Sequence, residues 1–104
     1  MSAARKSARD QECALVLPGC MGNTGGNVVL CHLRMFGGGG MGKKPSDLEA
    51  VYGCSHCHDL IDGRSRLIHG ISSAFLWEAI ARALVRTHRI MRKEGILTIK
   101  GETR

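Results

Sequence analysis

The chain has 104 residues, a formal charge of +6, only 4% aromatic residues, 14 glycines and five cysteines. That length builds one modest core, so a single domain is expected over 1–104, and no run approaches the roughly 18 apolar residues of a membrane span. The polar start "MSAARKSARDQE" has no secretory apolar core, and an odd cysteine count without an export signal points to reduced thiols in the cytoplasm rather than a disulfide framework.

In chain order, residues 1–11 are expected to form a loose or short helical basic leader carrying Arg5, Lys6 and Arg9. "ECALVLPGC" (12–20) reads as a short strand entering a Pro-Gly turn, and "VVLCHLRMF" (28–36), β-branched at its start, as the clearest strand. "GGGGMGKKPSD" (37–47) reads as a loop, "LEAVYG" (48–53) as a second strand, and the residues from Cys57 as a short helix broken near Gly63. Residues 72–95 predict a long helix, capped by Ser72 or Ser73 and ended by Gly95. Its apolar face carries Leu76, Ile80, Ala83, Leu84, Thr87 and Met91, with Arg82, Arg86, Arg89 and Lys93 opposite. The tail 96–104 reads as a brief strand or a loose end.

"GCSHCHDLID" (53–62) holds more metal-binding side chains than one tetrahedral ion uses. Cys54-x-x-Cys57 has the knuckle spacing that lets two thiolates share one zinc ion, and Cys13 and Cys20 are the candidate second pair. Structural zinc contributes about 10–16 kcal/mol in small peptides, as much as the net stability of a whole domain. With four thiolates closing that site, His58 is turned away from it. On a helix, His58 and Asp62 share a face at i and i+4 and could form an open site for a second, divalent ion. His56 is expected to face solvent or phosphate, and Asp59 to cap the short helix or support the ligands. His32, ending the first strand, is a candidate to take a proton from water near neutral pH.

"LCHLR", "KKPSDL" and "CSHCHDLID" together resemble the HNH, or ββα-metal, nucleases. More narrowly, they are similar to small phage and prophage nuclease-like proteins of the YbcO type, over about residues 4–95. The resemblance implies a small α+β, zinc-stabilised ββα-metal (HNH-like) domain with a long C-terminal helix. It implies an endonuclease hydrolysing DNA phosphodiester bonds, with His32 as general base, Asp47 as the middle member supporting its geometry, and His58 on Mg2+ or another divalent ion. Cys31 stands where such enzymes often carry Asp or His, and the interval from Asp47 to Cys54 is longer than theirs.

Expected DNA contacts are Arg34, Lys43, Lys44, Arg82, Arg86 and Arg89. The rival reading is a zinc-stabilised DNA-binding module without catalysis, serving phage recombination or regulation; an RNA-binding zinc protein is a weaker one. Monomer and homodimer are both compatible with the sequence.

Overall fold

A computed structural model of the chain describes residues 2–34, 45–62 and 70–102. Its elements are α1 (Ala3–Ala8), β1 (Val28–His32), β2 (Ala50–Cys54), α2 (Ser55–Ile61) and α3 (Ser73–Lys93). The expected glycine loop, with Lys43 and Lys44, and the break at Gly63 lie outside the described residues.

The basic leader is in fact a packed helix. Ala4 and Ala8, one turn apart, are 6% and 0% exposed and lie in the core, while Arg5, Lys6 and Arg9 fall on other faces. Two small side chains let α1 approach β1 closely, and Ser7 Oγ reaches the hydroxyl of buried Tyr52 at 2.7 Å.

The expected strand over 12–20 does not form. Extended backbone rises about 3.3 Å per residue, which would set Cys13 and Cys20 about 23 Å apart. Instead their sulfurs lie within 4.8 Å of each other. The chain folds back through the Pro18–Gly19 turn, and among the described residues one sheet-like bond remains, from Ala14 N to Tyr52 O at 2.8 Å.

β1 and β2 pair antiparallel, with Val28 opposite Cys54 and His32 opposite Ala50. β1 ends at His32, earlier than the apolar run suggests, and β2 starts two residues late because the Ser46–Glu49 turn consumes Leu48 and Glu49. α2 follows β2 without a loop: Cys54 ends the strand and caps the helix, its sulfur accepting from Cys57 N at 3.5 Å. Asp59 is therefore not the cap.

α3 matches its expected limits. Ser72 Oγ accepts from Phe75 N at 3.2 Å, and Gly95, at φ +77, ends the helix in the left-handed region. Its buried face is Leu76, Ala79, Ile80, Ala83, Thr87 and Met91, with Leu84 only partly covered. Thr87 Oγ1 accepts from Tyr52 N at 3.0 Å and so completes the outer edge of β2. The tail forms no strand within 96–102: the Ile96 and Leu97 amides turn back onto Met91 O and close the helix end.

Candidate metal centre and basic cleft

Cys13, Cys20, Cys54 and Cys57 converge from the first loop and the β2–α2 junction, their sulfurs all within 4.8 Å of one another. Four thiolates about 2.3 Å from a tetrahedral zinc lie about 3.8 Å apart. Cys20 Sγ and Cys54 Sγ are 3.9 Å apart, so the donors fit that ion. Gly22 N donates to Cys20 Sγ at 3.4 Å, a second support for negative sulfur.

The electrostatics ask for a cation. A hydrogen bond from Cys57 is the main cause that lowers Cys13, and the same contact raises Cys57, so the two sulfurs oppose each other's ionisation. A dication removes that conflict by ionising every ligand. Among the described residues this is the only group of three or more His, Cys, Asp or Glu side chains placed to share one ion.

His56, between the two knuckle cysteines, serves the scaffold instead of facing solvent or phosphate. Its Nε2 donates to Pro18 O at 2.8 Å, and a Cβ on Gly19 would stand 2.6 Å from that nitrogen. The contact ties α2 to the turn that presents Cys20.

Cys31 stays apart. Strand alternation turns it to the face opposite His32, where it is fully buried and burial pushes its thiol up. A neutral thiol there is core, not ligand.

Adjacent helical residues point about 100° apart, so Cys57 can face the sulfur cluster while His58 faces outward. His58 Nε2 lies 3.5 Å from Asp62 Oδ2 at i,i+4. The two side chains pair across one helical turn, and no third described His, Cys, Asp or Glu joins them as an ion site.

His32 Nε2 is 2.8 Å from Asp47 Oδ1. A carboxylate only accepts, so Nε2 carries a proton, and in the neutral ring Nδ1 then holds the basic lone pair. Asp47 Oδ2 accepts from Ser2 Oγ at 2.6 Å, and Arg5 Nε lies 3.7 Å from Oδ1. These contacts hold the Asp47 carboxyl below its ordinary range, the Ser2 hydrogen bond most strongly and His32 next.

Both histidines line one cleft of about 710 Å³, together with Arg5, Lys6, Arg9, Arg34 and the β1 residues Val28–Leu30. None of its described lining residues is acidic. The loop over 22–27 helps to build it: Asn23 Nδ2 bridges the Arg9 and Gln11 carbonyls, and Arg9 crosses Gly26, where a Cβ would come within 2.9 Å of Nε.

Of the expected DNA contacts, Arg34 lines this cleft, whereas Arg82, Arg86 and Arg89 do not. Arg86 Nη1 donates to Ala14 O at 3.2 Å, and Arg82 lies 3.9 Å from Glu78. Sequence reasoning places Arg5, Lys6 and Arg9 in a basic leader but not in this cleft, and it misses Ser2. Their signal was the Ala4/Ala8 spacing, which marks a docked helix with its basic residues turned outward.

A two-stranded antiparallel sheet running directly into a helix, with a four-thiolate cluster at the junction, has a ββα-metal-like arrangement. The family model described as "Putative nuclease YbcO" matches residues 2–96, and the chain belongs to that family. The chain is 38% identical over 97 residues to "Putative nuclease YbcO" of Escherichia coli (strain K12), covering 93% of this chain and 98% of the relative. The same figures hold for "Putative nuclease ybcO" of Enterobacteria phage 82. A solved structure, "Structure of a putative bacteriophage protein from Escherichia coli str. K-12 substr. MG1655", superposes with a TM-score of 0.67 at 37% identity. It covers 89% of this chain and 100% of that one. Among the described residues, no helix is long and apolar enough to cross a membrane.

Proposed function

We propose that the chain binds DNA in its basic cleft, on a scaffold stapled by zinc, and hydrolyses phosphodiester bonds there. The observation that carries this reading is the meeting of His32 and His58 in one cleft with four cationic side chains. Arg5, Lys6, Arg9 and Arg34 would neutralise the phosphate backbone, at a cost in affinity as salt rises. His32 Nδ1 would take a proton from the water attacking phosphorus, and Asp47 would steady the resulting imidazolium. The bond from phosphorus to the leaving sugar oxygen then breaks. His58 and Asp62 would hold the divalent ion, Mg2+ or another, whose charge stabilises the phosphate and that oxygen. The name nuclease given to both relatives supports nucleic acid as the substrate class.

The non-catalytic DNA-binding module is the more economical reading. The cysteine cluster and the basic cleft are all that binding requires, whereas hydrolysis adds a second ion with only two described ligands. Supercoiled plasmid incubated with Mg2+, Mn2+, Ni2+ or EDTA separates the two, with binding measured on the same samples. Metal-dependent nicking that His32→Ala abolishes supports hydrolysis. Full DNA binding without nicking by any of the ions leaves the module.

A further inference from the structure

Ser2 caps α1 and touches Asp47, the partner of His32, yet it lies 45 residues away from Asp47 in the chain. Its hydroxyl has one proton to give and lone pairs to accept with. The proton goes to Asp47 Oδ2 at 2.6 Å, and a lone pair takes Arg5 N at 3.2 Å. Forming the first turn of α1 and aiming that proton at Asp47 are therefore one conformation.

Asp47 needs such a hold. It sits in a turn fixed at its backbone by Glu49 N to Ser46 O at 2.9 Å and by Leu48 N to Ser46 Oγ at 3.1 Å, neither of which constrains its carboxylate. His32 engages Oδ1; Ser2 engages Oδ2 and so sets the rotation of the group about its own axis.

We propose that Ser2 is a positioning residue of the cleft: its hydroxyl locks the Asp47 carboxylate, which in turn keeps the proton of His32 on Nε2 and the lone pair on Nδ1. The proposal deepens the reading of His32 as the base and rests on it. The same short helix and its C-cap present Arg5, Lys6 and Arg9 to the cleft. α1 thus binds the phosphate backbone and readies the base together.

The charged and titratable groups around the imidazole are Asp47, bonded to it from the turn, and, lining the same cleft, Arg5 and Lys6 from α1, Arg9 at its C-cap, Arg34 after β1 and His58 from α2. Substituting Ser2 by a neutral residue changes none of them. Ser2→Gly keeps most of the capping preference but has no proton to donate, whereas Ser2→Thr keeps both. Nitrogen-15 shifts of His32 in the zinc-loaded full chain, above its titration, report which nitrogen is protonated.

The wild type and Ser2→Thr should show the Nε2–H form, and Ser2→Gly a mixture of the two tautomers. Backbone amide shifts of α1 check that the helix persists; Ser2→Gly/Ala3→Pro, with a proline at the favoured first helical position, repeats the test without adding charge if Ser2→Gly frays it. Wild-type nitrogen shifts in both Ser2→Gly and Ser2→Gly/Ala3→Pro would overturn the proposal. Where the wild type nicks plasmid, Ser2→Gly should turn over about tenfold more slowly at unchanged half-saturating DNA. A wild type that never nicks defeats the hydrolytic reading alone, since the nitrogen shifts still decide the role of Ser2.

Discussion

Asp47 divides two oxygens among Ser2, His32 and Arg5, three partners from two separate stretches of chain. Its carboxyl titrates lower in the folded protein than the ordinary value of about 4, so between the two values the unfolded chain binds the extra proton. The group therefore stabilises the fold above that ordinary value, and the contribution is lost as pH falls through the folded one. Urea midpoints measured from pH 6 to pH 3 should drop more steeply in the wild type than in Asp47→Asn. Equal slopes would mean that the carboxylate charge adds nothing to stability.

At the scale of elements, α3 and α1 divide the labour differently from their composition. α3 carries the longer run of arginines, yet it mainly seals the sheet: Thr87 Oγ1 supplies the acceptor that Tyr52 N lacks on the outer edge of β2. Thr87→Val keeps the shape but strands a buried donor, at a cost of about 1–3 kcal/mol. Thermal unfolding should show that loss and its recovery in Thr87→Ser. α1, only six residues long, contributes Arg5 and Lys6 to the cleft, and its C-cap adds Arg9. The double variant Lys6→Gln/Arg9→Gln should lower the salt slope of DNA binding by about 2. Arg82→Gln/Arg86→Gln should change it less, because Glu78 and the Ala14 carbonyl engage those side chains. Equal changes would extend the DNA track onto α3.

For the whole molecule, the four-cysteine site joins the first loop, β2 and α2 at one point. Removing zinc with a chelator should unfold the domain, since such an ion contributes about 10–16 kcal/mol against a net stability of roughly 5–15. Cys54→Ser should lose both zinc and folded circular dichroism. His58→Ala, one residue past the last thiolate, should keep both. Loss of structure in the two variants alike would show His58 to be part of the scaffold.

Much of this was legible because it is local. The Cys54-x-x-Cys57 knuckle, the 3.6-residue face of α3 with its serine cap and terminal glycine, the β-branched start of β1, and the i,i+4 spacing of His58 and Asp62 need only a few neighbours to be read. The segment 12–20 has a strand-like composition, but an extended path would part Cys13 from Cys20, and the observed chain folds back to bring their sulfurs together. The α1 helix was undervalued because a six-residue helix has little stability of its own and forms by packing, through Ala4 and Ala8. The sequence by itself therefore determined which residues can bind zinc and where the long helix lies. Only the tertiary structure decided that residues 2, 32 and 47 form one hydrogen-bonded chain and that His32 and His58 line one basic cleft, because those relations depend on contacts between distant segments that no local period encodes.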